Sequence, residues 1–210
     1  MKSERYITAI IYCAALAWTG LLYFNHEAIK SAWLGPLSTA ITIVLYLVMA
    51  FDLWLWKLPV LHGWFVKRPA IGGTWKVEIR SNWKDPATGS GIAPVQGFMV
   101  VRQTFSTLSV RLLTTESSSE LVGTEIVCSQ DGLYCVSGVY RNEPRYEVRG
   151  RSPIHYGAVW LRVIDEPANK RILGHYWTDR ETAGEMELSS QRNKHFQTFQ
   201  SAQAYFAQLP

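Results

Sequence analysis

Leu173-Gly174-His175-Tyr176-Trp177-Thr178-Asp179-Arg180-Glu181-Thr182-Ala183-Gly184-Glu185-Met186-Glu187-Leu188 decides how the chain folds. Two runs of β-formers flank a polar turn. Successive strand side chains point to opposite faces, so Tyr176 and Thr178, continued by Arg180, share one face, and His175, Trp177 and Asp179 the other. Runs of the same kind recur upstream. Candidate strands cover 74–80, 95–103, 107–113, 121–128, 133–140, 156–163, 171–178 and 183–188. Turn clusters bound them: 85–91, 117–119, Asp131-Gly132, 142–144 and 165–169. About eight short antiparallel strands at this spacing predict a barrel or a sandwich. An eight-stranded barrel has an interior that is either filled by side chains or holds one small ligand. One short helix is expected at the C-terminus, over 202–208, with Ser201 as its cap.

Upstream of the β-rich part the pattern changes. Residues 6–24 carry no charge, and 37–56 carry one, Asp52. Each covers the roughly 20 residues that a helix needs to cross about 30 Å of hydrocarbon. The expectation is a membrane-anchored, mainly β protein. A two-helix transmembrane hairpin occupies residues 1–58, a linker containing Pro59, Gly63 and Pro69 occupies 59–71, and a β-barrel domain occupies 72–210. The net charge is +4 and the pI about 9.0. Residues 72–210 hold 15 Lys and Arg against 14 Asp and Glu. The basic excess therefore flanks the apolar runs, at Lys2, Arg5, Lys30, Lys57, Lys67 and Arg68, against Glu4, Glu27 and Asp52, with Lys30, Glu27 and His26 in the short connection between the runs. It points to lipid headgroups rather than to a DNA or RNA polymer. The same asymmetry predicts a multi-pass membrane protein with both termini cytoplasmic. A cleaved signal peptide is the alternative for the first run, but no small-x-small site follows Phe24.

Three cysteines are present. Cys13 lies in the first apolar run. If Asp131-Gly132 is a two-residue hairpin turn, Cys128 and Cys135 fall directly opposite each other. They then read either as a bridge or as two small apolar residues on one sheet face.

Several strings together carry a resemblance to a known family. They are Gln103-Thr104-Phe105-Ser106-Thr107-Leu108-Ser109-Val110, Thr114-Thr115-Glu116-Ser117-Ser118-Ser119, Tyr140-Arg141-Asn142-Glu143-Pro144, His155-Tyr156-Gly157-Ala158-Val159-Trp160-Leu161, and the opening segment, of the form Gly-x-Tyr-x-Thr-x-Arg-x-Thr-x-Gly. In this order, after two N-terminal runs, the chain resembles the two-transmembrane, β-strand-rich effectors of bacterial CBASS anti-phage operons. The resemblance implies a barrel that binds a cyclic dinucleotide made by a partner CD-NTase. It also implies homo-oligomerisation and disruption of the inner membrane by the helices, an abortive-infection response. Gly73-Thr74-Trp75 separately resembles the start of lipocalin-type barrels.

A cyclic dinucleotide has two phosphates and two base faces. It calls for guanidinium or ammonium groups, aromatic planes, and amides or hydroxyls for base edges. Tyr176, Thr178 and Arg180 offer a stacking plane, a hydroxyl and a phosphate donor in line. The competing reading makes Arg180 a solvated turn residue and Tyr176 a core aromatic. Gln103, Tyr140 and Trp75 have suitable chemistry, but residues of these types more often serve structural roles, Trp75 as a core plug at a closed end. Arg141, Arg145, Arg149 and Arg151 interleave with Glu143 and Glu147, as in a salt-bridged loop or a phosphate-gripping rim. Asp52 reads either as an interfacial residue or as one lining a pore. No catalytic motif is present, neither a Gly-x-Ser-x-Gly elbow, an HExxH, a P-loop nor a Gly-x-Gly-x-x-Gly, and no Cys/His cluster has metal-ligand spacing. The chain reads as a non-enzyme that needs no cofactor beyond its ligand. The alternative function is a membrane-tethered, lipocalin-like carrier of an apolar molecule.

Overall fold

Strands that alternate apolar and polar side chains must bury one face, and a sheet long enough can do so by closing on itself. The computed structural model describes residues 2–25, 34–85, 88–166 and 169–208. The chain divides into two compact units, Met1–Val66 and Lys67–Pro210.

The first unit is helical, with α1 (Lys2–Asn25) and α2 (Leu34–Leu53) followed by 3-10 turns at Leu55–Lys57 and Pro59–Leu61. The Trp56 ring stacks on His62, and Lys57 lies over its face. Among the described residues no helix is long and apolar enough to cross a membrane. This corrects the expected transmembrane hairpin. The multi-pass inner-membrane location and the cytoplasmic placement of both termini fall with it. The physical reason is that an uncharged run is not an apolar one. Thr19 and Tyr23 interrupt α1, and Thr39, Thr42, Tyr46 and Asp52 interrupt α2, and each polar group opposes transfer into hydrocarbon. The Thr19 hydroxyl instead donates within its own helix, to the carbonyls of Ala15 and Leu16. His26, Glu27 and Lys30, between the two apolar runs, lie outside the described residues.

The second unit is an eight-stranded antiparallel barrel: β1 (Gly73–Ser81), β2 (Val95–Gln103), β3 (Leu108–Leu113), β4 (Ser117–Cys128), β5 (Tyr134–Pro144), β6 (His155–Glu166), β7 (Asn169–Thr178) and β8 (Ala183–Arg192). Each strand pairs with the next, and β8 closes on β1. Trp75, Val77, Met99, Val110, Leu161, Ile172 and Leu188 point inward and are buried. Most of the favourable free energy resides in this set, at roughly 1.5–3 kcal/mol per fully buried large side chain.

β2 breaks the alternation, with Phe98 to Val101 all buried. The cause is α3 (Phe199–Ala207), whose Phe199, Ala202 and Phe206, together with Phe196, cover the outward side chains of Phe98, Val100 and Leu113. Thr198 caps α3 by accepting from Ser201 N at 3.3 Å. Ser201 is thus inside the first turn rather than at the cap.

The two ends of the barrel differ. At the end where β1 begins, the entering chain crosses the mouth and plugs it. Ile71 is buried there, the Trp75 indole donates to its carbonyl at 2.9 Å, and Gln103 Oε1 accepts from its amide at 2.8 Å. Gln103 Nε2 also donates to Pro69 O at 3.0 Å. The opposite end carries the β3–β4, β5–β6 and β7–β8 connections and is open.

The β4–β5 hairpin also differs from expectation. Ser129 N donates to Leu133 O, so five residues form the loop, and Cys128 pairs with Tyr134 while Cys135 pairs with Val127. The one-residue shift places the two cysteines on opposite faces of the sheet, and both are free thiols.

Candidate functional site

The open end leads into a cleft of about 790 Å³, within the range of small-molecule sites. Its floor is apolar, formed by Met99, Leu112, Leu121, Val159 and Met186. Its wall carries Tyr140, Tyr176, Ser119, Asn142 and Thr178, and its rim carries Arg180, Arg151, His155, Asp85 and Glu116.

Two glycines shape the wall. Tyr140 is the direct cross-strand neighbour of Gly157, and Tyr176 of Gly184. A Cβ on Gly157 would collide with the Tyr140 ring and with the Trp177 carbonyl. A Cβ on Gly184 would lie 2.6 Å from Tyr176 Cε1 and 2.9 Å from its hydroxyl. Each ring therefore lies across the space that a side chain on the next strand would fill, and the lumen above stays open. Burial pushes both phenols above their ordinary pKa, and for Tyr140 the neighbouring Tyr176 adds to the effect. Both remain hydroxyl donors at neutral pH.

The polar wall is prearranged. The Ser119 hydroxyl donates to Asn142 Oδ1 at 2.7 Å between β4 and β5, and both residues are buried. The Thr178 and Thr182 hydroxyls lie 2.7 Å apart across the β7–β8 turn.

At the rim, Arg180 Nη1 lies 3.4 Å from the Ser152 hydroxyl, and Arg180 Nη2 lies 3.3 Å from His155 Nε2. A guanidinium only donates, so Nε2 is the acceptor. The proton then sits on Nδ1, which donates to Pro153 O at 3.0 Å. Burial holds the His155 pKa below its ordinary value, and the Arg180 charge adds to this. Arg151 forms a salt bridge with Glu116, which offsets its charge toward an anion. Arg180 makes no salt bridge among the described residues. It is the cation at this mouth whose charge is not already met by a carboxylate.

Tyr176, Thr178, Arg180 and Tyr140, singled out in the sequence, therefore line one cleft. Trp75 and Gln103 do not join them. They stand at the plugged end, with the indole N–H and both ends of the amide engaged by the entering chain. Asp52 belongs to the helical unit. The arginine run separates into individual roles. Arg149 pairs with Glu143 and Arg151 with Glu116, and Arg151 lines the cleft. Ser119, Asn142 and His155 are wall or rim residues that sequence reasoning missed. The first two sit in strings that read as turns.

The family described as "Cap15, cyclic dinucleotide receptor domain" matches residues 66–190. The chain is also similar to CD-NTase-associated protein 15 of Staphylococcus schleiferi, at 26% identity over 156 residues, covering 74% of this chain and 79% of that protein. The matched segment takes in more than half of the chain and almost the whole barrel with its cleft, and the chain belongs to the Cap15 family of cyclic dinucleotide receptor domains.

Proposed function

We propose that this chain is a CBASS anti-phage effector whose barrel senses a cyclic dinucleotide through the cleft at its open end, without catalysing a reaction on it. The observation that carries the reading is the composition of that cleft. Two buried tyrosines, a prearranged Ser119–Asn142 pair and a guanidinium free of carboxylate partners surround a cavity of about 790 Å³. The tyrosine rings offer planes to bases. The Asn142 amide N–H groups and the Thr178 hydroxyl face base edges, and Arg180 faces a phosphate. The signal comes from a partner CD-NTase. Occupancy of the cleft favours association of protomers, and the helical unit of residues 1–66 serves as the output module.

Calorimetry of the full chain with cyclic di-AMP, cyclic di-GMP and cyclic GMP–AMP tests the reading. At least one binds at micromolar strength or tighter. Removing a charge-assisted contact worth about 1.5–3 kcal/mol in Arg180→Ala weakens that binding roughly 10- to 100-fold. The apolar floor favours a second reading, a carrier of an apolar molecule. Silence toward all three nucleotides together with tight binding of a fatty acid would establish it instead.

A further inference from the structure

Two arginines, Arg151 and Arg180, and two carboxylates, Asp85 and Glu116, line the cleft, so its formal charge is zero. The Arg151 charge is already met by Glu116. A guest with two phosphates therefore meets one guanidinium that no carboxylate offsets. One further lining group can change its charge near neutral pH. It is His155, a buried residue at the first position of β6.

The ring of His155 is fixed, and one nitrogen is left to change. Nδ1 donates to Pro153 O at 3.0 Å, and Nε2 accepts from Arg180 Nη2 at 3.3 Å. Pro153 O accepts from Nδ1 whether or not Nε2 carries a proton, so protonation needs no movement of the ring. It turns Nε2 from an acceptor into a donor, beside the guanidinium. Across β5 the direct neighbour of His155 is Asn142, which is uncharged and bonded to Ser119. From the β7–β8 turn come Arg180 and Asp179, and the Asp179 carboxylate accepts from Tyr156 N at 3.1 Å. In the β5–β6 connection the Ser152 hydroxyl accepts from Arg180, and Arg151 is paired with Glu116 of the β3–β4 turn. Burial and the Arg180 charge are what oppose a proton on Nε2.

We infer that His155 and Arg180 together form the phosphate-binding pair of the cleft, and that His155 takes up a proton when a phosphate docks on Arg180; this rests on the ligand reading given above and adds to it a second cation. A phosphate beside Arg180 offsets the charge that keeps the imidazole neutral. It also places a negative charge within about 4–6 Å of the ring, which favours the charged form. The proton comes from solvent and ends on Nε2, which then donates to a phosphate oxygen in a charge-assisted bond. The occupied cleft thus holds this proton at higher pH than the empty one. By linkage, ligand affinity rises as pH falls.

Calorimetry of the full chain with cyclic di-AMP, cyclic di-GMP and cyclic GMP–AMP tests the inference. It is run at pH 7.5, 6.5 and 5.5 in buffers of different ionisation enthalpy, with far-ultraviolet circular dichroism verifying the fold at each pH. The phosphodiesters and bases of these nucleotides keep their charge over that range, so a proton taken up on binding goes to the protein. The nucleotide that binds is expected to do so about three- to tenfold more tightly at pH 5.5 than at pH 7.5, within the limit of about tenfold per pH unit that a single proton sets. The His155→Gln side chain offers Arg180 an acceptor but cannot take the proton, so in that variant uptake and pH dependence disappear. Histidine-selective NMR of the wild type gives the same reading without a variant, as one ring resonance that titrates at higher pH when ligand is present. Binding without proton uptake, or affinity that weakens as pH falls, overturns the inference and leaves the ligand reading standing. So does uptake that His155→Gln leaves intact, since it places the proton elsewhere. Silence of all three nucleotides at every pH sinks the ligand reading, and the inference with it.

Discussion

His155 Nε2 accepts a hydrogen bond from Arg180 Nη2 at 3.3 Å, and only the neutral imidazole has the lone pair to do so. Burial keeps the His155 pKa below its ordinary value and the Arg180 guanidinium acts in the same direction, against the hydrogen bond to Pro153 O and the Asp179 carboxylate, which favour the proton. The unfolded chain therefore binds the His155 proton at higher pH than the folded one. The His155 contribution to stability is fully present above the unfolded pKa of about 6.5. It is lost as pH falls from there through the depressed folded value. Thermal midpoints measured from pH 7.5 down to pH 5 are expected to fall more steeply for the wild type than for His155→Gln. Parallel curves would show that His155 does not titrate with folding.

Gln103 and Arg180 are expected to separate stability from recognition. Gln103 Nε2 and Oε1 tie the entering chain across the plugged end. Gln103→Ala leaves the buried Ile71 amide without its acceptor and costs about 1–3 kcal/mol of folding free energy. The cleft lies at the far end, so cyclic dinucleotide affinity moves by less than twofold. Arg180→Ala has the opposite profile, a denaturation midpoint near that of the wild type and a large loss of affinity. Urea denaturation and calorimetry on both variants check the pair. An affinity loss in Gln103→Ala equal to that in Arg180→Ala would place Gln103 back among the ligand contacts.

The barrel was legible because burial imposes a period of two on every strand, and Trp75-x-Val77-x-Ile79 or Val159-x-Leu161-x-Val163 can be read only one way. The plugged end was partly legible, since Trp75 was recognised as a possible core plug. The cleft wall was not. Ser117 to Ser119 and Asn142 to Pro144 have the composition of turns, yet they pair with one another as the first residues of β4 and the last of β5. A wall that faces a polar guest needs small polar side chains, and such residues carry the opposite local preference, so tertiary pairing overrides it. The helical unit failed for a related reason. Hydroxyls, phenols and one carboxylate are spread through α1 and α2, so a run with almost no charge is not thereby apolar.

Gly184 is expected to tolerate no side chain. A Cβ there would meet the Arg80 carbonyl as well as the Tyr176 ring, and the carbonyl belongs to a paired strand that has little freedom to retreat. Overpacking of this kind costs about 1–3 kcal/mol. Gly184→Ala should lower the denaturation midpoint and also displace Tyr176 from its place in the wall, weakening nucleotide binding. The combination Gly184→Ala with Tyr176→Ala distinguishes the two terms. Removing the ring relieves the side-chain clash but not the carbonyl clash. The double variant should therefore recover less stability than a clash with the ring alone would predict. Full recovery would show that Arg80 can move.

The Ser119–Asn142 pair offers the most direct test of how the wall presents its amide. With Oδ1 engaged by the Ser119 hydroxyl at 2.7 Å, the Nδ2 hydrogens are what Asn142 has left to offer the cleft. Ser119→Ala removes the donor, leaves Oδ1 unpaired in a buried position and costs about 1–3 kcal/mol. It also frees the amide to rotate and present its oxygen, so affinity falls for nucleotides that place an acceptor there. Asn142→Asp keeps the shape and the Ser119 contact while replacing the amide donors with a carboxylate that repels phosphate. Its affinity loss should exceed that of Ser119→Ala and shrink at high salt, as screening weakens the repulsion. Calorimetry at low and high ionic strength measures both. A nucleotide that binds Asn142→Asp as tightly as wild type would mean that the guest does not reach this depth of the barrel.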